Sequence, residues 1–163
     1  MAERYSNKPS KYERSYRILE YLKKNTDQEH KVKQSDLRKI EYLKQYIGNK
    51  ETFNDTIVNM ANAMNSDSNE RINPEEEWRI VFDAFAKRYG SEGTEEEDEE
   101  GTQRMPIRGL YYHHIFSYDE INSLIEGILF SKTMTPEDGE KLIEKIESHL
   151  TTKFYPKGAK QIC

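Results

Sequence analysis

The sequence predicts a mainly α fold with a small β component (α+β), and three observations predict it. Apolar residues recur at three- and four-residue steps along most of the chain. Capping residues stand in front of these periodic stretches. One segment, Ile107 to Phe116, is aromatic and β-branched instead and has the chemistry of a strand.

The first helix begins at Ser10-Lys11-Tyr12-Glu13, a capping box in which hydroxyl and carboxylate satisfy each other's unpaired amides. Tyr12, Tyr16, Ile18, Leu19 and Leu22 give its stripe, which runs to about Asn25. Thr26 to Lys33 is polar, with Lys31-Val32-Lys33 suited to a short strand. Ser35 caps a second helix that buries Leu37, Ile40, Leu43, Tyr46 and Ile47 and ends at Gly48. A third helix, 50–65, buries Phe53, Ile57, Met60 or Ala61, and Met64, and turns Lys50, Thr52, Asn54, Asp55, Asn59 and Asn62 outward. Two helices joined by about three residues containing a glycine form a helix-turn-helix, whose second member can lie in a DNA major groove. Helix, short strand, helix, turn, helix is the winged-helix order.

Ser66 to Asn73 is a polar loop; Arg71 at a ligand position and the missing central glycine exclude a calcium loop. Two conformations suit the next stretch. Asn73-Pro74-Glu75 opens a helix over 74–89, whereas Trp78 to Asp83 is also strand-like and would pair with 107–116. The pairing is preferred, because the strand at 107–116 needs a partner. It makes the acidic run near 90–103, rich in Glu and free of apolar side chains, the disordered tip of a long hairpin wing. Residues 1–116 then form the winged helix-turn-helix domain.

Residues 117–163 form a helical hairpin and linker. Ser117-Tyr118-Asp119-Glu120 is a second capping box, followed by Ile121, Leu124, Ile125, Ile128 and Leu129. Thr135-Pro136 opens the partner helix with Leu142, Ile143, Ile146 and Leu150. Their apolar faces are wider than they can cover for each other. Packing on the first domain or on a second chain would cover the surplus.

Composition bounds the function. Apolar residues make up 34% of the 163 residues, mean hydropathy is -1.01, and 11 Tyr and 6 Phe accompany one Trp, so the core is small and aromatic. The single cysteine, Cys163, excludes an internal disulfide and a cysteine-rich metal site. Without a signal-like start or a spanning apolar run, a soluble cytoplasmic protein is expected. The net charge of -5 is uneven: residues 1–60 carry 13 Lys+Arg against 9 Asp+Glu, a balance of +4, and the remainder 12 against 21, or -9. A mildly basic front half is compatible with phosphate contacts.

Catalytic chemistry is not indicated. His30, His113, His114 and His149 lack metal-ligand spacing, and His113 and His114 would face opposite sides of a strand, one inward and one solvated. There is no phosphate-binding glycine loop, nucleophile elbow or candidate cysteine nucleophile, so neither an enzyme, a cofactor nor a metal is expected.

The run GLYYHHIFSYDEINSLIEGILFSKTMTPEDGEKLIEKIESHLTTKFY resembles the segment that follows the DNA-binding domain in bacterial WYL-domain transcriptional regulators. The resemblance extends back to about Ser10, is strongest from Leu110 to Leu150, and does not include the WYL domain itself. The family's recognition helix reads Thr-hydrophobic-Tyr-Arg-Asp-Ile; here Thr52 and Ile57 agree, while Asp55 stands where a cation is usual. The resemblance implies a transcriptional regulator that binds double-stranded DNA, and a two-fold homodimer through helices 117–150 would double a short site. Candidate contacts are Lys50, Thr52, Asn54, Asp55 and Asn59 on the reading helix, Lys31, Lys33, Arg38 and Lys39 to phosphate, and Arg104 and Arg108 near the wing. Asn54 and Asn59 suit adenine, and Asp55 suits the cytosine amino group. The rival is a protein-interaction adaptor on the same fold, for which Asp55 and the acidic total speak.

Overall fold

The computed structural model describes residues 8–65, 77–90 and 107–156, which form seven helices and one two-stranded antiparallel sheet. Helix α1 (Lys11–Asn25) starts where the Ser10 hydroxyl accepts from the Glu13 amide at 3.1 Å, so only the hydroxyl half of the expected capping box forms among the described residues. Ile18 and Leu22 are buried, with Leu19 and Tyr21 partly so. Tyr12 and Tyr16, expected on the same stripe, are 89% and 57% exposed. At about 100° per residue Tyr16 stands nearly opposite Ile18, and the aliphatic pair determined which side went in.

The continuous helix expected from Ser35 to Ile47 is broken into α2 (Gln34–Arg38) and α3 (Lys44–Ile47). Between them the chain turns through three-residue hydrogen bonds, Ile40 to Leu37 at 3.2 Å and Leu43 to Ile40 at 3.1 Å. Core geometry explains the break. On one straight helix Leu37 and Leu43 would point about 120° apart, yet both are fully buried with Ile47. Nor is Ser35 the cap: Lys33 holds that position, and its amide donates to the Asp36 carboxylate at 3.0 Å. Helix α4 (Lys50–Met64) follows, buried through Phe53, Ile57, Met60 and Ala61.

The sheet is smaller than expected. β1 (Ile80–Val81) pairs with β2 (Tyr111–Tyr112), Ile80 opposite Tyr112 and Val81 opposite Tyr111. The strand expected at Lys31 to Lys33 reduces to one bridge, Val32 to Leu110. Instead of a long wing, the chain leaves β1 at Phe82 and enters α5 (Asp83–Tyr89), so both conformations weighed for 74–89 occur in part. An extended strand would send Phe82 and Phe85 to opposite faces. The helical turn buries both beside Trp78, with centroids 5.0 Å apart for Trp78 and Phe85 and 5.7 Å for Phe82 and Phe85. The polar loop 66–73, the acidic run near 90–103 beyond Gly90, and Arg104 lie outside the described residues.

Helices α6 (Tyr118–Leu129) and α7 (Pro136–His149) begin as expected, with the Ser117–Glu120 capping box complete and the Thr135 hydroxyl accepting from Asp138. Ile121, Ile125, Ile143 and Tyr155 form a second small core, while Leu124, Leu129, Leu142 and Phe130, the last 83% exposed, stay outside it. No described helix is long and apolar enough to cross a membrane.

The two cores meet at the turn after α1. Asp27 accepts from the Tyr118 hydroxyl at 2.8 Å, from the His30 ring at 2.8 Å and from the amides of Glu29 and His30. Burial alone would raise its carboxyl, but these hydrogen bonds, Tyr118 first, hold it below the ordinary value. Burial pushes Tyr118 up to about 12, so the hydroxyl stays a donor. His30 stacks on Phe154 at 3.5 Å, and the Lys153 amide donates to the Lys24 carbonyl at 2.9 Å. The strand ends at Tyr112, yet the expected alternation carries on in the ring contacts, His113 with Tyr111 and His114 with Tyr112, and what fails is the expectation that one ring is buried and the other solvated. Both are half-buried, and each donates a ring N–H to a carbonyl, His113 to Trp78 at 3.0 Å and His114 to Thr26 at 3.2 Å.

Burial lowers His114 from its ordinary 6.5, with the bond to Thr26 opposing. A depressed folded value means the unfolded chain binds the proton more readily, so stability is full above about 6.5 and falls with pH down to the folded value. Urea unfolding across this range should show that decline in the native protein and a shallower one in His114→Gln. Parallel curves would contradict the assignment.

Candidate nucleic-acid interface

The turn before α4 sets the direction of the helix. Gly48 has φ 69° and ψ -162°, a region only glycine occupies at low cost, and a Cβ there would lie 3.1 Å from Thr52 Cγ2. Arg38 fastens the turn by donating Nη2 to the Gly48 carbonyl at 2.6 Å. Asn49 then caps α4, accepting from the Thr52 amide at 2.8 Å.

With Phe53, Ile57 and Ala61 buried, Glu51, Asp55, Asn59 and Asn62 form one exposed row at four- and three-residue steps. Lys50 is exposed at its amino end, where the unpaired helix amides add partial positive charge. Thr52 and Asn54, expected to be on the same outward side, are half-buried at its flanks. The row itself carries two carboxylates and no cation.

The candidate phosphate contacts fall into two groups. Arg38 belongs with Lys50 at the α4 turn, although its guanidinium is already committed to Gly48. Lys31 and Lys33 flank Val32, whose bridge to Leu110 brings them to the same sheet edge as Arg108. Lys31 Nζ lies 5.4 Å from the centroid of the Tyr111 ring, and the Arg108 carbonyl accepts from the Asp83 amide at 2.9 Å. Lys33, Lys39, Lys50 and Arg108 are exposed and form no ion pair among the described residues.

Two positioning residues escape sequence reasoning. Asn65, just past α4, is buried: its Nδ2 donates to the Ile80 carbonyl at 2.8 Å, and its Oδ1 accepts from the amides of Arg79 at 2.7 Å and Ile80 at 3.2 Å. This ties the end of α4 to β1. Thr26 does the same for α1, donating to the Leu22 carbonyl at 2.6 Å while accepting from the Tyr112 amide at 2.9 Å. An asparagine or threonine after a helix is common, and only the fold shows what it reaches.

No family model, no curated protein and no solved structure matches the chain.

Gly48→Ala should cost about 1–3 kcal/mol in urea unfolding, through a forbidden backbone region and the contact with Thr52. Arg38→Ala should cost about 0.5–1.5 kcal/mol. Gly127→Ala, in a helix with open space at its Cβ, should be neutral or stabilising by up to about 1 kcal/mol. Equal stability of Gly48→Ala and the native chain would refute the constraint placed on the turn.

Proposed function

We propose that the chain is a DNA-binding transcriptional regulator of the WYL type, with a winged helix-turn-helix that reads a short duplex site through α4. The observation that carries this is the open outer row of α4, with Lys50 at its amino end and Gly48 setting the angle of entry. Asn59 and Asn62 offer both a donor and an acceptor, the pair that an adenine edge requires. Asp55 and Glu51 only accept, which suits the cytosine amino group. Lys33, Lys39, Lys31 and Arg108 would meet the phosphates on either side, and the short β1–β2 sheet would serve as the wing.

One such module covers few base pairs, so two copies would act together. The exposed Leu124, Leu129, Phe130 and Leu142 on α6 and α7 support pairing through the hairpin. One observation favours the rival, a protein-interaction adaptor: Glu51 and Asp55 face outward where phosphate would approach, and both repel it.

Selection from random duplexes at moderate salt decides between them. The regulator should recover a motif that Asn59→Ala weakens by about tenfold and His149→Ala leaves alone. Failure to enrich any sequence favours the adaptor. In sedimentation at micromolar concentration the native chain should dimerise and Phe130→Ser should shift toward monomer; a native chain that stays monomeric removes the hairpin interface.

A further inference from the structure

Away from the α4 face, α1 and the segment from Tyr42 to Tyr46 frame a concavity of about 400 Å³. Its size lies in the lower part of the range for small-molecule sites, about 300–1,000 Å³. No residue of α4 lines it. Three tyrosine rings contribute to the wall, Tyr21, Tyr42 and Tyr46, and Tyr42 is 66% exposed. Arg17 and Lys24 supply two cations, and Gln45 supplies a carboxamide.

The lining carboxylate, Glu20, lies 4.0 Å from Arg17, so one carboxylate faces two cations. It leaves the cations only partly neutralised. Arg17 also sits over the Tyr46 ring, 5.7 Å from its centroid, so charge and ring face are presented together. A simple anion would find three rings superfluous, and an uncharged aromatic would leave Arg17 and Lys24 unused. The combination fits a planar heterocycle that carries a phosphate: rings stack on tyrosine, guanidinium and ammonium hold phosphate oxygens, and a carboxamide can pair with a base edge.

We propose that this concavity between α1 and α3 binds a nucleotide, its base against Tyr42 and Tyr46 and its phosphate on Arg17 and Lys24. The site is separate from the duplex-reading row and stands whether or not α4 reads DNA.

Calorimetric titration of the full chain with AMP, GMP, CMP and UMP in turn tests it. At least one should bind saturably, with the matching nucleoside and inorganic phosphate each weaker by about tenfold or more. Arg17→Ala and Tyr42→Ala should each raise the dissociation constant by about tenfold. Both side chains protrude, so circular dichroism should stay native, and Asn59→Ala on α4 should bind as the native chain does. The proposal is overturned if no mononucleotide binds, if phosphate alone binds as well, or if both variants bind unchanged. Binding of oligothymidylate through Arg17 and Tyr42 without any mononucleotide binding would overturn it in favour of a strand-binding surface.

Discussion

Burial of Phe53, Ile57 and Ala61 on one side of α4 dictates what the helix can show on the other. A helix has no freedom to rotate once such a row is packed, and the outward residues follow at fixed angles. Glu51, Asp55, Asn59 and Asn62 therefore share one exposed row. The turn at Gly48 and the Arg38 bond to its carbonyl set how the helix leaves α3, and the Asn65 side chain pins its far end to β1. Both ends are held by polar contacts and the middle by apolar packing, so the row is presented by a rigid element, as a reading surface requires.

The helical hairpin is not a free appendage. Asp27 follows directly on α1, which packs against both α3 and α4, and the same carboxylate holds Tyr118 at the start of α6. Thr152 and Phe154, after α7, return to this point through the Tyr118 hydroxyl and the His30 ring. A displacement of the hairpin would thus act first on the turn after α1. For a regulator of the proposed kind, this is the physical path by which pairing of two hairpins would orient two reading helices.

Much of the α framework was legible because each signal was local. Ser10, Ser117 and Thr135 all accept from the amide three residues on, and Gly48 has the positive φ that its position demanded. The failures came where a distant contact decided the outcome. Leu43 and Ile47 have helical spacing but Leu37 and Leu43 do not, and the break between α2 and α3 brings all three inside. Trp78 to Phe82 has the chemistry of a strand, but the burial of Phe85 turned the chain into helix after two paired residues. His113 and His114 alternate as their chemistry suggests, yet neither is solvated, because carbonyls of Trp78 and Thr26, far off in sequence, accept from their rings. In the candidate interface the crest residues Asp55 and Asn59 were readable from period alone. The half-burial of Thr52 and Asn54 depends on neighbours that periodicity does not describe.

The most direct test follows backbone and side-chain amide resonances of the chain by NMR as a duplex recovered by selection is added. If α4 reads the duplex, the amides of Lys50 to Asn62 and the side-chain NH2 signals of Asn59 and Asn62 should move first and furthest, while those of α7 remain in place. Shifts confined to the hairpin or to the Tyr42 surface, with the α4 row unmoved, would contradict that reading.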